Sequence, residues 1–169
     1  MIELTIPDSD AMEAFGARLA PLLRAGDVVL LNGELGAGKT TMTRGLGAAL
    51  GARGAITSPT FVLAREHPTA LGVPLVHVDA YRLGTAIELD DLDLDWDHAI
   101  VVVEWGAGKV EGLVDSWLSI DIQRPQGTPI GSTTEPTAEQ LAAEEPRRLT
   151  IEGVGGRGQE LEARLLATG

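Results

Sequence analysis

The sequence predicts an α/β domain of three layers, with helices packed against a mainly parallel central sheet. Two observations lead there. Short aliphatic runs such as "DVVLLN", "VPLVHV" and "HAIVVVEW" alternate with longer stretches of helical periodicity, the rhythm of linked strands and crossover helices. "DVVLLN" is also apolar throughout its middle instead of at every second position, as a strand covered on both faces requires. A chain of 169 residues that is 44% hydrophobic can bury one sizeable core, so a single domain over residues 1–169 is expected.

The elements follow in order. Residues 2–6, "IELTI", alternate like a strand. The next stretch, "PDSDAMEAFGARLAPLLRAG", puts Met12, Phe15, Leu19 and Leu22 or Leu23 on one helical face. Asp8, Ser9 or Asp10 can cap its start and Gly26 can end it. "DVVLLN" is a buried strand, followed by a glycine-rich turn and a helical stretch to about Leu50. "TSPTFVLARE", "VPLVHVDAYRL", "HAIVVVEW" and "SWLSIDIQ" are further strand segments. In "TSPTF", Pro59 restricts Ser58 to an extended conformation and Phe61 is expected to enter the core. In "IELDDLDLDWD", Ile87, Leu89, Leu92 and Trp96 are expected to turn inward from a solvated acidic surface, because the run lacks the glycine and terminal glutamate of a calcium loop. Residues 124–146 are rich in Pro, Thr, Gly and Glu and read as a disordered or mobile surface insertion. "RRLTIEG" then reads as a last strand and "GRGQELEARLLA" as a final helix.

Charge narrows the range of partners. With 25 acids against 13 bases, the formal net charge of −12 argues against unaided binding to DNA or any other phosphate backbone, and against an anionic membrane surface. The absence of cysteine excludes disulfides, thiolate zinc sites and thiol catalysis. The opening "MIELTIPDSD" has no basic segment followed by an apolar one, and no run approaches membrane-spanning length, so a cytoplasmic protein is expected.

The tetrapeptide "GAGK" occurs twice and holds the only two lysines, Lys39 and Lys109. In "LLNGELGAGKTT" the first copy completes G-x-x-x-x-G-K-[ST], from Gly33 through Gly38 and Lys39 to Thr40, after a strand and before a helix. Such a loop points backbone N–H groups at phosphate oxygens, and the helix N-terminus behind it favours negative charge. Lys39 can reach terminal phosphates, and the Thr40 hydroxyl can ligate Mg²⁺. This motif makes the predicted fold P-loop NTPase-like. The second copy has Val103 where the first glycine would stand and Val110 where the hydroxyl would be, so Lys109 reads as a solvated lysine whose loss should matter little.

What precedes that second copy is more informative. Glu104 ends one aliphatic strand and Asp79 another, and ligands of parallel sheets bind at such carboxyl ends. Thr40 and Glu104 can surround a metal while Asp79 orients water or serves as an outer ligand, a division that the residues alone leave open. Arg82 can pair with Asp79 or with a phosphate. His77 and His98 are too far apart for a metal site and read as hydrogen-bonded histidines.

In order and spacing, "GELGAGKTTMTRGL", "TSPTFVL", "HVDAYRL" and "VVVEWGAGK" resemble the TsaE family, P-loop ATPases needed in bacteria for threonylcarbamoylation of adenosine 37 in tRNA. The resemblance spans roughly residues 8–151 without the insertion, which departs from the family's compact form. It implies ATP and Mg²⁺ as ligands. It also implies two partners, a TsaD-like threonylcarbamoyl transferase and a TsaB-like companion, with ATP turnover resetting their assembly and tRNA met only through it. By the same resemblance Gly36, Ala37, Gly38, Lys39, Thr40 and Thr41 surround the phosphates, Thr40 and Glu104 hold Mg²⁺, and Asp79 supports turnover. Thr60 lies in a segment like a loop that senses the γ-phosphate, Trp105 stands beside the nucleotide, and Asp8 and Arg147 match residues that approach it. A small-molecule kinase or a non-catalytic nucleotide-binding adaptor would share the phosphate loop, but the only tract long enough for a kinase lid, between Pro125 and Pro146, has no arginine.

Overall fold

A computed structural model of the chain describes residues 1–59, 63–125 and 145–169. It contains β1 (Ile2–Ile6), α1 (Ser9–Leu19), a 3-10 turn (Ala20–Leu22), β2 (Val28–Asn32), α2 (Lys39–Ala49), β3 (Ala64–His67) and β4 (Leu75–Asp79). These are followed by α3 (Ala86–Asp90), β5 (Ile100–Glu104), β6 (Trp117–Gln123), β7 (Arg147–Val154) and α4 (Gly155–Ala167). The expected insertion at 124–146 falls mostly outside the described residues.

One seven-stranded sheet runs in the order β1-β7-β6-β2-β5-β4-β3. Its middle pairs, β6 with β2, β2 with β5 and β5 with β4, are parallel. β7 runs antiparallel to both β6 and β1, and β3 runs antiparallel to β4, so β7 and β3 alone oppose the common direction. The mainly parallel sheet is therefore borne out. The uniform burial of β2 and β5 is as expected of strands covered on both faces.

The two faces are covered unequally. On one, Val29, Leu31, Leu75, Ile100, Val102 and Ile120 pack under α1, α2 and α4 through Phe15, Leu19, Met42, Leu46, Leu161 and Leu165. On the other, Val28, Leu30, Val76, Val78, Val101 and Val103 pack under the short α3 and irregular segments carrying Leu83, Leu92, Trp96 and Val110. Burying a large aliphatic side chain stabilises by roughly 1.5–3 kcal/mol, so both layers are needed to offset chain entropy.

Two local expectations change. The first helix ends at Leu19, where a 3-10 turn holding Pro21 tightens the chain; Asp8 is its cap, accepting from the Ala11 N–H at 2.8 Å. Ile87 does not turn inward. It is 72% exposed, because α3 is only five residues long and directs Leu89, not Ile87, into the core. Within "TSPTFVLARE" the described strand is Ala64–His67, and the expectation for Phe61 and Thr60 lies outside the described residues.

α1 and α2 cross almost backbone to backbone. A Cβ on Gly45 would lie 2.0 Å from the Glu13 carbonyl oxygen, and one on Gly16 would lie 2.1 Å from that of Met42. This contact sets how closely α2, and the loop that starts it, sits over the sheet. Gly45→Ala should gain up to ~1 kcal/mol in helix propensity and lose more, about 1–3 kcal/mol, to overpacking. A net fall in the thermal unfolding midpoint of a few degrees is expected; an unchanged or raised midpoint would show that the helices can part freely.

Candidate functional site

The parallel register of the sheet brings the motif residues to one edge. β2 pairs with β5 so that Leu31 lies opposite Glu104, and β5 pairs with β4 so that Glu104 lies opposite Asp79. The chain leaves β2 into the phosphate-loop sequence and returns as α2, which starts at Lys39. Gly33, Gly36 and Gly38 have φ of 153°, 77° and 115°, the left-handed region that favours glycine. Gly33 has a second reason, since a Cβ there would meet the Ile122 carbonyl oxygen at 2.6 Å.

Around this loop lies a cleft of about 480 Å³ lined by Glu34, Leu35, Gly36, Gly38, Lys39, Thr40, Thr41, Ser58, Asp79, Tyr81, Arg82, Glu104 and Trp105. A smaller cleft of about 210 Å³ shares Gly36, Gly38 and Thr41 with it and adds Asp8, Ser9, Met12, Ala37, Glu145 and Arg147. Eleven of the residues assigned to the site from the sequence thus line two clefts with common walls, and Gly33 shapes the loop beneath them. Arg147 also donates from Nε to the Ala37 carbonyl at 3.2 Å, which anchors β7 to the loop. Thr60 lies outside the described residues.

Thr40 and Glu104 meet directly. The Thr40 hydroxyl donates to Glu104 Oε1 at 2.9 Å, and His77 Nε2 lies 3.1 Å from the same oxygen. His77, Asp79 and Glu104 are all buried. Asp79 Oδ1 accepts from the Tyr81 N–H at 3.0 Å. Two carboxylates ending adjacent strands, with a threonine hydroxyl against one of them, make an oxygen-rich donor set. It suits a hard divalent cation that keeps waters and takes other ligands from a phosphate. Among the described residues there is no group of three or more His, Asp or Glu that could hold a metal ion.

Lys39 is folded onto its own loop. Its ammonium donates to the carbonyls of Gly33 at 2.7 Å and Glu34 at 3.0 Å, and lies 4.4 Å from the centroid of the Trp105 ring. Desolvation lowers its pKa, opposed by the negative charges of Glu104, Asp79 and Glu34. The Trp105 backbone is itself left-handed at φ 61°, held by its N–H bond to the Leu31 carbonyl at 2.9 Å. That turn brings the indole to Tyr81, with ring centroids 5.1 Å apart at 55°.

Lys109 is not the solvated residue expected of it. Its ammonium donates to the Ala80 carbonyl at 2.6 Å, and burial lowers its pKa against the opposing charges of Asp79 and Glu88. The Ala107 N–H of the same turn donates to Asn32 Oδ1 at 3.2 Å. The second GAGK therefore ties the ends of β2, β4 and β5 together. No motif announced this, because it depends on where β4 ends in space. Sequence reasoning leaves His77, hydrogen-bonded as expected, and Tyr81 out of the site; the signal for His77 is its place two residues before Asp79, on the same face of one strand. His98, as expected, is hydrogen-bonded, with Nδ1 2.8 Å from Asp95 Oδ1.

Comparison with known proteins points to one family. A family profile described as threonylcarbamoyl adenosine biosynthesis protein TsaE matches residues 6–130. The tRNA threonylcarbamoyladenosine biosynthesis protein TsaE of Streptomyces coelicolor is 52% identical over 160 residues, 92% of this chain and 99% of that protein. The protein of the same name from Mycobacterium leprae is 50% identical over 121 residues, 66% of this chain and 75% of its own. The crystal structure of YdiB from Bacillus subtilis superposes with a TM-score of 0.70 at 26% identity, covering 99% of this chain and 95% of that one. With the profile spanning most of the chain and the S. coelicolor relative matched over nearly its whole length, the chain belongs to the TsaE family.

Proposed function

We propose that this protein is an Mg²⁺-dependent ATPase of the tRNA N6-threonylcarbamoyladenosine pathway, working in the cytoplasm with a TsaD-like transferase and a TsaB-like companion. Family membership supports the pathway. The single observation that carries the chemistry is the Thr40–Glu104 contact of 2.9 Å at the mouth of a complete phosphate loop. No helix among the described residues is long and apolar enough to cross a membrane.

The residues divide the work by position. The N–H groups of the loop and the start of α2 bind the phosphates, and Gly36, Ala37, Gly38 and Thr41 line their path. Lys39 exchanges the Gly33 and Glu34 carbonyls for phosphate oxygens, a swap that keeps its ammonium hydrogen-bonded in both states. Thr40 and Glu104 would hold a Mg²⁺ ion directly or through water, and such an ion would supply positive charge against that developing on the phosphate oxygens. Asp79, one strand away from Glu104, orients the attacking water. Trp105 supplies an apolar wall beside the nucleotide, while Asp8 and Arg147 contribute from the rim. The transfer of the threonylcarbamoyl group belongs to the partner, and tRNA is met through the assembly.

The test is ATP hydrolysis with Mg²⁺, measured for the protein alone and after adding the two partners. Slow turnover alone and a clear rise in the assembly are expected; equal, fast turnover with a free metabolite as acceptor would overturn the reading. Glu104→Gln and Thr40→Ala should each slow turnover about 100-fold, the scale for losing one preorganised electrostatic contact in a site. The two lysines should separate cleanly in a fluorescent-nucleotide titration. Lys39→Ala is expected to abolish measurable binding, whereas Lys109→Ala should retain it and lose about 1 kcal/mol of folding stability with its hydrogen bond. Comparable loss of binding in both variants would place Lys109 in the phosphate site.

A further inference from the structure

His77 is a buried polar group in contact with the site that the proposed chemistry leaves unused. It is fully buried on β4, the strand next to the sheet's β3 edge, and its Nδ1 has no hydrogen-bond partner. Buried polar atoms are rarely left so, and one that persists calls for a reason. The other ring nitrogen supplies it. Nε2 sits 3.1 Å from Glu104 Oε1, which also accepts the Thr40 hydroxyl at 2.9 Å. A carboxylate oxygen offers lone pairs only, so Nε2 bears the hydrogen and donates.

We propose that His77 is a positioning residue for the metal-bearing carboxylate. Both hydrogen bonds fall on Oε1, so Oε2 is the oxygen they leave for a cation or its water. The two bonds fare differently when a metal arrives. Thr40 must turn its hydroxyl lone pairs to the cation, which takes that side chain into a second task, whereas His77 has no route to the cation and keeps its hold. The sheet makes this possible. His77 and Glu104 point to the same face of adjacent parallel strands, His77 paired with Val102 and Glu104 with Asp79, so the ring reaches diagonally to the acid. A leucine would fill the space equally well and leave Glu104 free to rotate. This inference rests on the reading of Thr40 and Glu104 as metal-holding residues.

The experiment titrates Mg²⁺ into the protein with a fluorescent ATP analogue and reads two quantities, nucleotide affinity in EDTA and the Mg²⁺ concentration giving half of the metal-dependent change. His77→Leu is expected to raise that concentration about tenfold, the lower end of what losing a ligand's hydrogen-bond partner does to metal affinity, with affinity in EDTA unchanged. His77→Gln, whose amide nitrogen stands where Nε2 does, should stay near the native value, and His77→Asn, which is too short, should shift like leucine. If His77→Leu does not fold, the Gln and Asn pair decides. Equal Mg²⁺ requirements in the Gln, Asn and native proteins, or a loss in all variants confined to thermal stability, would overturn the proposal. Glu104→Gln is the control for the underlying reading. If it leaves the Mg²⁺ requirement unmoved, the metal assignment has failed and the proposal for His77 fails with it; if it shifts while His77→Asn does not, only the proposal for His77 falls.

Discussion

The contact between the Thr40 hydroxyl and the Glu104 carboxylate joins residues 64 positions apart and is the point on which the rest of the site turns. It exists because two parallel strands lie side by side in one register. β2 delivers the phosphate loop, β5 delivers the acid, and α2 folds back so that its first turn stands over both. The height of α2 is set in turn by its close crossing with α1 at Gly16 and Gly45. A helix lifted by even one methyl group would carry Thr40 away from Glu104. Packing that looks remote from the chemistry therefore governs its geometry.

The electrostatics of the edge follow from the same arrangement. Asp79 and Glu104 end adjacent strands and are both buried, a placement that costs free energy through lost hydration and mutual repulsion. Lys39 offsets part of this from the loop, and Lys109 does so from the turn after β5. These are the two lysines of a chain whose net charge is −12, and both stand within the influence of Asp79. Binding a cation and a polyphosphate together adds charge of both signs to a site that already balances them. That balance explains why an acidic protein can present an anion-binding loop.

Much of this was legible in the sequence. Gly33, Gly38, Lys39 and Thr40 announce themselves by spacing, and Glu104 and Asp79 by ending aliphatic runs whose parallel packing follows from their uniform apolarity. Asp8 as a helix cap is likewise a local matter. What failed did so where long-range geometry overrides local pattern. Ile87 shares the apolar spacing of Leu89 but sits on a helix too short to obey that spacing. Lys109 sits in a tetrapeptide without its completing residues, yet the fold returns it to the end of β4. His77 is hydrogen-bonded as expected, but only the pairing of β4 with β5 reveals that its partner is Glu104.

The account's central claim is that Thr40 and Glu104 flank one cation above the loop held by Lys39. The most direct test is a crystal structure with Mg²⁺ and a non-hydrolysable ATP analogue. It should show the metal about 2.1 Å from the Thr40 hydroxyl, Glu104 bound to it directly or through one water, and the Lys39 ammonium moved from the Gly33 and Glu34 carbonyls onto phosphate oxygens. A metal coordinated away from both residues, or a nucleotide bound while Lys39 keeps its two carbonyls, would contradict it.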